Sequence, residues 1–175
     1  MKVAIVIGHH EKSKGAKSPY LQIFEWDFYN QVAKYLTNVS IYHHSPYIKS
    51  YTQRIKNTAK KLDDYDLVIE MHFNAATPQA NGCETLYYFA SEKGKKYATI
   101  FSSIVNECTG IKLRGNNGAK PLVNKNDRGF CAVFYPKPPT ILIEPGFGSN
   151  KGDCEKLKNP KNVANIIKEF ISIIS

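Results

Sequence analysis

Glu70, His72 and Asn74 alternate within the stretch DLVIEMHFNAA, residues 66–76. Leu67, Val68 and Ile69 open it like a buried strand, and side chains two apart on a strand share a face. A carboxylate, an imidazole and an amide on one buried face are costly unless something satisfies them. Two other apolar runs also end in reactive groups. IVIGHH places His9 and His10 just past the first run, and TILIEPGF ends in Glu144. Ligands of open α/β sheets bind at the carboxyl ends of strands. Three such ends in one sheet therefore point to a metal or acid–base site. Glu25 adds to them, because Phe28 and Val32 follow it at helical spacing and place it on an apolar face. Its simpler role is a carboxylate complementing the helix dipole. Two histidines and one carboxylate, with water in the fourth place, make an open catalytic zinc site.

Strands are expected over residues 2–7, 39–43, 66–73, 83–90 and 140–144. Helical spacing covers 23–36, 51–62 and a stretch from about Glu92 to Cys108. Asn159 caps a last helix with Pro160 in its first turn, a favoured start. This alternation predicts an α/β three-layer sandwich, with a largely parallel mixed sheet flanked by helices. A chain of 175 residues fits one domain, 1–175. The Gly/Asn/Lys-rich stretch Gly110–Gly129 reads as a long loop, either a groove wall or a surface excursion.

Lysine and arginine number 24 against 15 acidic residues, a formal charge of +9. That suits either a lysine-rich solvated surface or attraction to an anionic polymer such as nucleic acid, membrane or cell wall. No helix-turn-helix or RNP-like pattern supports nucleic acid. Cys83, Cys108, Cys131 and Cys154 are widely spaced without a CxxC pair, and read as reduced thiols. The N-terminal apolar run is too short for a signal peptide, and no stretch approaches membrane-spanning length. The expectation is synthesis in a cytosol without a Sec-type export signal.

IVIGHHEKSKGA, then Glu25, Arg54, DLVIEMHFNA, GCETLYY and ILIEPGFGSN resemble zinc-dependent N-acetylmuramoyl-L-alanine amidases of type 3, especially phage endolysin catalytic domains. The similarity runs in order through almost the whole chain. It implies His9, Glu25 and His72 as zinc ligands and Glu144 as the catalytic glutamate. Asn74 matches an asparagine beside the third ligand that orients substrate or supports the loop. The family usually has glycine where His10 stands. His10 is read as a bystander, with substrate contact as the alternative. Most relatives carry a small residue at position 70, so Glu70 is not a ligand in that pattern but could orient one. Arg54 sits where the family has an arginine, with an expected structural role of pairing a carboxylate near the sheet. Arg128 either contacts an acidic stem peptide or is simply exposed. His43 and His44 match nothing and are expected at the surface.

The reaction implied is hydrolysis of the amide joining the lactyl group of N-acetylmuramic acid to L-alanine. Zinc is the implied cofactor and peptidoglycan the implied partner, with neither nucleic acid nor stable membrane insertion, and a monomer. The expected setting is a phage enzyme made in the host cytoplasm and released to the wall by a holin lesion. A zinc carboxypeptidase or endopeptidase is the competing enzyme reading. A basic wall-binding module is the non-enzymatic one.

Overall fold

Alternating faces of a few apolar strands set the architecture. The computed structural model describes residues 1–175. Its six strands are β1 (Val3–Ile7), β2 (Ser40–His43), β3 (Leu67–Met71), β4 (Glu84–Tyr88), β5 (Ala119–Leu122) and β6 (Thr140–Glu144). They form one sheet in the order β2-β1-β3-β6-β4-β5. β2, β1, β3 and β6 run parallel, whereas β4 is antiparallel to β6. The helices are α1 (Glu25–Ala33), α2 (Tyr51–Ala59), α3 (Glu92–Thr109), α4 (Phe130–Phe134), α5 (Lys151–Leu157) and α6 (Pro160–Ile174).

Ile5, Ile7, Leu67, Ile69 and Met71 project from one sheet face into the main core, against Phe28 and Val32 of α1, Phe101 of α3 and Phe170 of α6. Each such buried side chain contributes roughly 1.5–3 kcal/mol. The opposite face is thinner. Ala4, Val6 and Val68 pack with Leu62, while Leu86 and Leu142 pack with Phe130 and Val133 of α4. On β3 this thinner face is the one that carries Glu70, two residues after Val68. Three layers result, as the alternation of patterns predicts. Asn159 caps α6 by accepting from the Lys161 amide, with Pro160 at the helix start. No helix is long and apolar enough to cross a membrane.

The expected Gly110–Gly129 loop needs correction. It contains β5, which pairs with β4 in parallel register. Lys120 and Pro121 lower its strand propensity, and proline is tolerated because β5 lies at the sheet edge. The helices α4 and α5, of 5 and 7 residues, are too short to show a helical period in the sequence. α4 begins after Gly129, whose φ of 88° turns the chain in the left-handed region.

Candidate metal centre and active site

β1, β3 and β6 are neighbours, so His9, His72 and Glu144 arrive at one rim from three adjacent parallel strands. The Gly8 amide donates to the Met71 carbonyl, extending the ladder to the last residue before His9. His9 then turns with φ 65°, an unusual conformation for a residue with a side chain. Glu25 is the first residue of α1 and is 2% exposed. Its amide donates to the Ala16 carbonyl, tying α1 to the segment that follows His9.

The three groups expected to hold a metal come together. One ligand atom from each of His9, Glu25 and His72 lies within 4.8 Å of the others. His72 Nδ1 donates to Glu25 Oε1 at 2.7 Å, and the Phe73 amide donates to the same oxygen at 3.2 Å. His9 Nε2 stands 3.1 Å from Glu25 Oε2, yet it is buried and lacks hydrogen-bond alignment. A buried polar atom without a partner invites an ion. Glycines make room for the rings. A Cβ on Gly8 would lie 2.3 Å from His72, and one on Gly15 would lie 2.5 Å from the His9 ring and 2.7 Å from Glu25. The donor set and these close approaches fit a divalent metal of the zinc type.

The groups also hold one another electrostatically. Burial alone would raise the Glu25 pKa, but hydrogen bonding and charge from His72, then His9, lower it to about 2. Burial opposes charge on His72, yet Glu25 and then Glu70 raise it to about 10. Both ring nitrogens donate to carboxylates, an arrangement only the imidazolium can make.

Glu70 lies behind His72 rather than beside Glu25. It accepts from His72 Nε2 at 3.0 Å. His44 Nε2 approaches the same oxygen to 3.4 Å, and His44 Nδ1 is 2.9 Å from the Thr58 hydroxyl of α2. Burial raises the Glu70 pKa, but the charge and hydrogen bonding of His44, then of His72, hold it well below the usual range. His44 is thus not a surface residue as expected: it is 3% exposed, whereas its neighbour His43 is exposed. The buried Glu70 carboxylate draws it inward.

Glu144 faces the cluster across a cleft of about 340 Å³. Burial, then the like charges of Glu84 and Glu25, outweigh His72 and Lys120 and raise its pKa to about 7. Asn74 Nδ2 donates to Glu144 at 2.8 Å and to Glu84 at 2.6 Å. Glu84, within GCETLYY, has no local sequence signal of a place in the site. It reaches this rim because β4 runs opposite to β6, which makes Glu84 the register partner of Glu144.

The remaining candidates divide. His10 is 8% exposed, bridges to Ser13 through its backbone and does not line the cleft. Burial and the nearby charge of Arg54 lower its pKa. Arg128 is exposed and lines the cleft. Arg54 corrects the expectation of a carboxylate partner: Nη1 donates to the Ile48 carbonyl at 3.1 Å, and no salt bridge forms. Placed on α2, it is itself part of the cleft lining.

Comparison with known proteins agrees with this architecture. A curated relative, an uncharacterized protein YqiI of Bacillus subtilis, is 27% identical over 92 residues, 53% of this chain and 41% of that protein. The chain thus spans less than half of that relative's length. The catalytic domain of the CD27L endolysin targeting Clostridia Difficile superposes with a TM-score of 0.79, at 26% identity over 99% of this chain and 97% of that one. The catalytic domain of CwlV, an N-acetylmuramoyl-L-alanine amidase from Bacillus (Paenibacillus) polymyxa, gives 0.73 at 21% identity, over 99% and 98% of the two chains. The sequence matches a family description over residues 3–175, and the chain belongs to that family, Amidase_3, the N-acetylmuramoyl-L-alanine amidases.

Proposed function

We propose that this protein is a zinc-dependent hydrolase cleaving the amide between N-acetylmuramic acid and the L-alanine of peptidoglycan. One observation carries the reading: His9, Glu25 and His72 gather within 4.8 Å at the rim where Glu144, a carboxyl with a pKa near 7, faces them. His9, Glu25 and His72 would hold the ion. When bound, it would supply Lewis-acid chemistry, polarising a carbonyl and making water more acidic. Glu70 keeps His72 oriented from behind. Glu144 holds and moves the proton, accepting it from attacking water and delivering it to the departing amine. Burial and the like charge of Glu84 favour uptake of that proton by the carboxyl. Asn74 fixes the carboxyl that does this through its 2.8 Å hydrogen bond.

A role in bacterial lysis follows as part of the same proposal. Its support is the likeness to an endolysin catalytic domain and the +9 charge, which favours an anionic wall. The test is digestion of purified peptidoglycan with and without chelator, with fragments identified by mass. The expected products are intact glycan and peptides with a new N-terminal L-alanine, lost on chelation. Release of D-amino acids with the muramoyl amide intact would assign a peptidase instead.

A further inference from the structure

The cleft carries positive charge that nothing in the protein answers. Its acidic lining is accounted for. Glu25 meets His9 and His72, and Glu70 meets His44 and His72. Asp127 accepts from the amides of Val123 and Asn124, both at 2.8 Å, and Glu144 accepts from Asn74. The cations of the same lining are Arg54, Lys125 and Arg128. The lysine and arginine ion pairs of the protein belong to Lys14, Arg114, Lys120 and Lys137, so none of the three has a carboxylate partner.

Arg54 is the most exacting of them. Its Nη1 is held by the Ile48 carbonyl, but its buried Nε has no acceptor. A buried guanidinium donor left unmade is costly, and a carboxylate is the partner whose geometry matches the fork. The ring of Tyr51 lies 5.7 Å from the guanidinium carbon and helps hold its plane. Arg54 comes from α2, whereas Lys125 and Arg128 come from the segment before α4. The two cleft walls therefore present like charge to the space between them. At the other end of the rim the cations are already matched, since Arg114 and Lys120 both lie 3.4 Å from Glu84.

We infer that Arg54, Lys125 and Arg128 form a subsite for a carboxylate on the peptide that leaves with L-alanine. The inference rests on the amidase reading and adds a direction to it. The peptide arm runs from the scissile amide towards α2 and α4, and the glycan lies on the Glu84 side. A free acid next to the alanine is then recognised by charge, and its carboxamide is not.

The test uses N-acetylmuramoyl-L-alanyl-D-glutamate and the same compound with both glutamyl carboxyls amidated. Binding is measured by calorimetry on metal-loaded Glu144→Gln, so that neither compound is consumed. The free acid should bind about tenfold tighter than the diamide, the scale of one charge-assisted hydrogen bond. Arg54→Gln and Arg128→Gln should each bring the ratio of the two dissociation constants towards one. Arg128 is exposed, so its substitution serves even if the Arg54 variant folds poorly. Lys96→Gln on the exposed face of α3 makes the same charge change at a distance and should leave the ratio alone. Equal binding of acid and diamide, or an undiminished ratio in Arg128→Gln, would overturn the subsite. A fall in Lys96→Gln as large as that in Arg128→Gln would overturn it too, by making overall charge the cause. Cleavage by the unsubstituted protein is read separately. Failure to cut either compound at the muramoyl amide refutes the amidase reading and leaves the binding ratio to judge the subsite.

Discussion

Glu84 and Glu144 are register partners on antiparallel strands, and a single amide nitrogen, Asn74 Nδ2, donates to both. Two carboxylates this close disfavour a second negative charge. Burial does most to lift the Glu144 pKa, and Glu84 is the first of the charges that add to it. Lys120 and Arg114 each lie 3.4 Å from Glu84, so the charge there is partly offset.

Glu84→Gln removes that like charge while keeping a side chain that can bond Asn74. The acidic limb of the kcat/KM profile should move to lower pH by about half a unit to one unit. A pH–rate profile on solubilised wall fragments measures it. An unmoved limb would leave Glu84 with a purely structural part.

Glu144→Gln should lower turnover by about 10²–10⁴, the usual share of a general acid–base group, while metal content stays stoichiometric. The same change has a stability signature in the metal-free protein. The folded pKa lies near 7 and the ordinary value at 4.5, so folding takes up a proton between them. Stability contributed by this group therefore falls as pH rises from 4.5 through 7 and then levels off. The glutamine variant lacks that fall. It should exceed its parent by about 2 kcal/mol at pH 8, allowing for partial exposure, and by nothing at pH 4. Urea unfolding at the two values gives the difference.

Glu70→Gln and His44→Asn test the support behind His72. Glu70 fixes the Nε2 side of the imidazole, and His44, just past β2 and hydrogen-bonded to Thr58 of α2, steadies Glu70. Loss of such partners commonly lowers metal affinity about 10–100-fold. Competition with a fluorescent chelator reads the affinity, and thermal unfolding of the metal-free forms separates it from simple destabilisation. Unaltered affinity in Glu70→Gln would remove this role.

Wall binding should be salt-dependent. With 24 basic against 15 acidic residues, attraction to an anionic wall weakens as the Debye length shrinks from about 10 Å at 0.1 M to about 3 Å at 1 M. Pull-down with whole walls across that range should show a steep loss. Cleavage of a small soluble muramoyl peptide should decline less.

Most of the fold was legible, because Ile5, Ile7, Ile69 and Phe170 obey the periods of strand and helix. The site was legible where residues end apolar runs: His9, His72 and Glu144 all do so. What escaped had no local signal. β5 is an edge strand carrying Lys120 and Pro121, so its pairing comes from β4 rather than from its own propensity. His44 looked like a strand-end surface residue, and only the distant Glu70 explains its burial. Glu84 was hidden by strand direction: in a parallel β4 it would have stood at the opposite rim.

Gly8 and Gly15 set the clearance of the His9–Glu25–His72 cluster, since a single methyl on either would strike an imidazole ring. Main chain, which has no rotamers with which to yield, therefore limits where the two imidazoles can swing. The aim of His9 and His72 is thus set by the backbone as much as by side-chain packing. Any side chain at either position would have to push an imidazole out of the cluster or shift the backbone that carries it.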